Sequence, residues 1–164
     1  MKNSRPFTIW FLFVFFLWAV GKDFQLMVTH QQGVDYFIFQ HHNQLTLFFA
    51  FMSATFLLDF AASYFLLRPQ PAGFWVCLAA VAVGLAYNGL ALSYALADLS
   101  GVREAYAMGR ELKGLPAREA NLDKIFTPEG MQAAFGIAAL FAVVGASFVV
   151  FNRKYFAVRE ASET

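Results

Sequence analysis

The chain has 164 residues, of which 59% are hydrophobic and only 14% charged, with a formal net charge of +1. Soluble domains carry about a quarter charged residues, so the composition points to lipid as the solvent. The near-neutral balance, with no Lys/Arg cluster longer than Arg153-Lys154, excludes a nucleic-acid-binding face. The lone cysteine, Cys77, excludes an intrachain disulfide and a cysteine-based metal site.

In chain order, Lys2 and Arg5 precede an apolar run that begins at Phe7 and ends at Gly21. Its outline resembles a signal peptide, with Ala19-Val20-Gly21 in the place of a small-residue cleavage site. The run is aromatic rather than Leu/Ala-rich, and a retained helix is expected. Fifteen residues are too few to cross a bilayer, so this first span is predicted over about 7–28, through Lys22 and Asp23, at roughly 33 Å. A polar-aromatic connection over 29–43 then holds all three histidines, with 33–40 suited to a short interfacial helix.

The second span is predicted over 44–67, roughly 36 Å against a hydrocarbon core of about 30 Å. Arg68-Pro69-Gln70-Pro71 cannot continue it and forms a turn. The third span follows over 74–97. Residues 98–130 make a polar outer segment, in which Val102, Ala105, Met108 and Leu112 recur at helical spacing and predict an amphipathic helix over 102–113. Gly114 and Pro116 end it. Thr127-Pro128-Glu129 is a helix start with a capping hydroxyl, a first-turn proline and a first-turn acid. The fourth span runs over about 131–151.

The expected fold is therefore an all-α integral membrane protein, one membrane domain over 1–164. It is a four-helix up-down bundle with an amphipathic outer helix between spans three and four. Lys2, Arg5, Arg68, Arg153, Lys154 and Arg159 fall at one end of the spans, which places both termini in the cytoplasm of a bacterial-type inner or plasma membrane. Small residues pack helices in lipid. Ala134, Ala138, Ala142 and Ala146 on the fourth span, with Ala80/Gly84, Ala82/Ala86 and Ala91/Ala95 on the third, predict that these two meet closely. The Phe- and Trp-rich first span is expected to face lipid or a partner.

Three constellations are candidates for function. Thr55, Asp59 and Ser63 are four residues apart and form a polar stripe on an otherwise apolar helix. The residues expected at the depth of Asp59 on the other spans, Phe15, Ala82 and Val143, offer it no partner. This is a proton or cation site on one reading; on the commoner, structural one it is an interhelical hydrogen bond or an acid reaching the interface. Nearer the outer side, Lys22, Asp23, Ser53, Tyr87 and Asn88 form a second polar layer. It is either a small pocket, with Asn88 bonded to one of the charges, or a helix end whose charges reach interfacial water. Consecutive residues do not face each other on a helix, so Lys22 and Asp23 are expected to need separate partners.

His30, His41 and His42 share the outer side, where metal ligation is the minor alternative to free interfacial imidazoles. No other cofactor is expected. No phosphate loop, nucleophile elbow, His-Glu-x-x-His or catalytic cysteine pair occurs, so no catalytic residue is assigned. The leading expectation is a non-enzymatic subunit or accessory component of a membrane assembly. The alternatives are an oligomeric small transporter or channel using the intramembrane carboxylate, and a metal- or cofactor-binding membrane enzyme at the outer histidines. The expected partners are the lipid bilayer and another membrane protein or a second copy.

Overall fold

The computed structural model describes residues 5–30, 33–116 and 119–157. Lys2 and Arg159, two of the charges used for orientation, lie outside the described residues. Eight helices follow in order: α1 (Phe7–Thr29), α2 (Val34–His41), α3 (Leu45–Leu67), α4 (Pro71–Ala97), α5 (Leu99–Glu111), α6 (Glu119–Ile125), α7 (Pro128–Phe151) and α8 (Arg153–Phe156). Four of them, α1, α3, α4 and α7, are long and apolar enough to cross a membrane.

Local chemistry accounts for the boundaries. Pro71 and Pro128 open α4 and α7 at positions where a missing N–H costs nothing, and the Thr127 hydroxyl accepts from the Gly130 N–H. Asp98 caps α5 by accepting from the Gly101 N–H. The chain reverses between α2 and α3 through Asn43, which adopts φ +56°.

The four long helices form a ring in which α1 packs on α3, α3 on α4 and α4 on α7, while α7 and α1 touch over a much smaller area. Arg5 donates to the Leu67 carbonyl at 2.8 Å, Thr8 donates to Asn152 Oδ1 at 3.0 Å, and Gly73 packs against Phe65 and Phe156. These contacts bring the starts of α1 and α4 to the same end as the finishes of α3 and α7. Arg5 over Trp10, Arg68 over Tyr64 and Arg153 over Phe74 decorate that end with cation–π pairs.

Two hydrophobic cores lie along the ring. One gathers α1, α3, α4, α7 and α8 around Leu12, Phe16, Leu66, Cys77, Val149 and Phe156. The other gathers α2–α7 around Phe39, Phe48, Met52, Tyr87, Val102 and Phe126.

One expectation is met in part and two need correction. The first span turns Phe7, Trp10, Val14, Leu17 and Trp18 outward, while its other face, Ile9, Leu12, Phe16 and Asp23, is buried, chiefly against α3. The small-residue stripes also divide. Ala82 and Ala86 face outward, and Gly145, beside Phe15 and Val81, is the close-approach residue of α7. The apolar face of α5 divides too. Val102 is buried in the core around Phe39 and Gly109 lies against Phe37, whereas Met108 and Leu112 are exposed.

Candidate functional site

Between the two cores the ring leaves a cavity of about 290 Å³. Each long helix supplies one face to it at the 3.6-residue period: Phe16, Ala19 and Asp23 from α1; Met52, Thr55 and Asp59 from α3; Ala80, Gly84 and Tyr87 from α4; Ala134, Ala138 and Phe141 from α7. The space exists because α4 and α7 present small residues there. A Cβ added at Gly84 would meet nothing within 4 Å. Polar groups come from α1, α3 and α4, whereas the α7 wall is wholly apolar.

The two polar layers read from the sequence therefore meet in one place. Asp59, 8% exposed, and Asp23, 2% exposed, line the same cavity with Lys22, Thr55, Tyr87 and Asn88. The three charges lie within Coulombic range of one another. Lys22 Nζ lies 3.5 Å from Asp23 Oδ1. This corrects the expectation that adjacent residues need separate partners: the four-carbon lysine stem bends back far enough to reach its neighbour. Asp23 Oδ2 is buried with no hydrogen-bond partner. Leaving such a carboxylate oxygen unpaired away from water costs on the order of 1–3 kcal/mol or more.

The remaining polar groups are tied to their own helices. Thr55 donates to the carbonyls of Phe51 and Met52, and the Asn88 amide donates to the Gly84 carbonyl at 2.7 Å. Asn88 thus bonds neither Lys22 nor Asp23 with its donor, contrary to expectation, because an i−4 carbonyl is nearer than a neighbouring helix. Ser63 likewise donates to the Asp59 carbonyl and lies below the cavity, off its wall. Ser53 is on the exposed face of α3 and does not join the layer.

Tyr87 carries the polar set further. Its hydroxyl donates to Asp35 Oδ2 at 2.8 Å, linking the cavity wall to α2. Burial raises the Asp35 carboxyl above its ordinary value, and the Tyr87 hydrogen bond and the Lys22 charge oppose that rise. Sequence reasoning missed Asp35. The available signal was a lone acid in the first turn of an otherwise aromatic segment.

The histidines serve as ties between elements. His41 Nε2 pairs with Asp98 Oδ2 at 2.8 Å, and His42 Nε2 donates to the Tyr94 carbonyl at 2.8 Å while its ring stacks on Tyr94. His30 Nδ1 bonds the Met27 carbonyl at 3.0 Å, with its ring against Tyr36 and Phe49. Among the described residues no three His, Cys, Asp or Glu side chains converge in a way that would hold a metal ion.

The fold and cavity define a helical protein with four helices able to cross a membrane and a charged pocket among them. Comparison with protein families, with curated proteins and with solved structures finds no match to the chain.

Proposed function

We propose that this is a small membrane transporter or channel that binds a proton or cation in the cavity between its four spans. The observation that carries the reading is the convergence of Asp59 and Asp23 on one cavity, with an unpartnered carboxylate oxygen and a single lysine among them. With both acids ionised the three side chains carry one net negative charge. Ionisable groups inside a bilayer are costly, and they are retained where they hold or pass a charge. Asp59 is the acid that takes up the cargo; Asp23, already partnered by Lys22, modulates it.

In the same reading α1, α3, α4 and α7 cross the bilayer in alternating directions. The end bearing Arg5, Arg68, Arg153 and Lys154 faces the cytoplasm, supported by the positive charges and by Trp10, Tyr64 and Trp75 at headgroup level. Four helices enclose too little for a complete alternating-access path, so the working unit is a self-associated one. The test is cation or proton flux in liposomes with the wild type and Asp59→Asn. Loss of pH-dependent flux in the variant supports the reading, and unchanged flux overturns it.

A second reading, a subunit of a larger membrane assembly, draws support from the outer face of α1, where Phe7, Trp10, Val14, Leu17 and Trp18 are exposed. Purification in mild detergent with a stoichiometric membrane partner and no flux of its own would favour it.

A further inference from the structure

We propose that the cavity takes a lipophilic organic monocation, an amine or quaternary ammonium with an apolar body, and admits it sideways from the bilayer between α1 and α7. The inference rests on reading the cavity as a cation site and names the class of cation.

The route follows from where the cavity is closed. Along the bundle axis it is capped by packed side chains: Phe48, Met52 and Tyr87 on one side, Leu12, Phe16 and Cys77 on the other, all buried. Three of its four seams are continuous helix contacts. The fourth, between α1 and α7, is the loosest of the ring. There Trp18 (67% exposed), Ile137 (59%) and Phe141 (53%) line the cavity and the outer surface at once. A side chain that does both marks an opening, and this opening faces lipid on the membrane reading. A ligand arriving that way must first partition into the bilayer, which favours a cation with substantial apolar surface over a hydrated inorganic ion.

Charge and shape agree. Lys22 offsets one carboxylate, leaving the equivalent of one unpaired negative charge, which suits a monocation. A volume of about 290 Å³ is far more than the roughly 30 Å³ share of one water. It stands at the lower edge of organic-ligand pockets, about 300–1,000 Å³. Phe15, Phe16, Trp18 and Phe141 line the cavity, an aromatic setting that suits an ammonium, and the apolar α7 wall suits its body. Lys22, its side chain nearly half exposed, stays on Asp23 while the ligand ammonium pairs with Asp59.

The experiment uses the full chain in phosphatidylglycerol nanodiscs, read by calorimetry and by tryptophan fluorescence, with empty nanodiscs as the blank. Benzyltrimethylammonium should bind saturably, with tetramethylammonium weaker by about tenfold for want of an apolar body. Asp59→Asn and Asp23→Asn should each weaken binding by about tenfold or more. Ala138→Trp, which fills the cavity while keeping both acids, should abolish it, with helicity and monodispersity confirming that the variant folds. Equal binding of the two ammonium ions, or full binding by Ala138→Trp, overturns the proposal. If neither ammonium binds yet Asp59-dependent proton or alkali-cation flux persists in liposomes, this inference fails alone. If Asp59→Asn also leaves flux unchanged, the cation-site reading falls with it.

Discussion

The Tyr87 hydroxyl and the Asp35 carboxylate, 2.8 Å apart, join the cavity wall on α4 to the short helix α2. Tyr87 is buried in the core around Phe39, on whose ring it stacks, so its hydroxyl has few other places to go. Tyr87→Phe should therefore destabilise the fold by about 1–2 kcal/mol, leaving a half-buried acid without its donor. The pH dependence has a definite sign. Burial already raises the Asp35 carboxyl, and removing the hydroxyl raises it further. A raised acid costs stability once the unfolded chain has ionised. Because both proteins share one unfolded reference, the pH-dependent part of the variant's deficit should be absent in acid and through the ordinary carboxylate range. It should widen above that range as the raised wild-type Asp35 ionises. Thermal unfolding in detergent at several pH values measures it.

The junction of α4 and α5 is held by Asp98. Its Oδ1 accepts from the Gly101 N–H and the Ser100 hydroxyl, and its Oδ2 pairs with His41. The Gly101 N–H, then the His41 and Ser100 bonds, hold the Asp98 carboxyl down to about 2. A depressed acid contributes stability above the ordinary carboxylate range and loses it as pH falls toward 2. Amide exchange at the start of α5 should accelerate over that interval, and Asp98→Asn should remove the acid-dependent step. Gly101→Ala should disturb the same cap, since a Cβ there would strike both Asp98 Oδ2 and the His41 ring.

At the opposite end Gly73 lets α4 approach α3 and α8. A Cβ at this position would lie 2.6 Å from Phe65 Cβ and 3.1 Å from Phe156 Cδ1. The first of these is backbone-anchored and cannot swing away. Gly73→Ala is expected to cost about 1–3 kcal/mol through overpacking. A lowered melting temperature with unchanged helix content at 25 °C would verify it.

The proposed transmembrane arrangement is open to labelling. Native Cys77 is fully buried in the core around Phe16 and Leu66, so the wild type should resist a membrane-impermeant maleimide and serve as the blank. Leu112→Cys, on the exposed end of α5, should label in intact cells. Lys154→Cys should label only after the membrane is opened. The reverse pattern would invert the orientation, and labelling of both in intact cells would remove the four-span topology.

Much of the helical plan was legible without coordinates, because apolar length and proline punctuation are local signals. The reading that placed spans at about 7–28, 44–67, 74–97 and 131–151 differs from α1, α3, α4 and α7 by a few residues at the ends, where capping chemistry decides. The polar stripe of Thr55, Asp59 and Ser63 was visible as spacing on one helix. Spacing alone, however, says nothing of which neighbouring helix supplies the opposite wall.

Depth counting along straight helices placed Asp59 in one layer and Lys22, Asp23 and Asn88 in another. Only the tertiary structure put Asp23 and Asp59 on one cavity, because helix rotation and side-chain length bridge layers that axial position keeps apart. The same holds for Lys22 folding onto Asp23, for Ser53 turning outward and for Tyr87 reaching Asp35. Composition and periodicity determined that these helices are long and apolar enough to cross a membrane. How they rotate about their axes, and hence which polar groups meet, was decided by packing between residues distant in sequence, which no local pattern records.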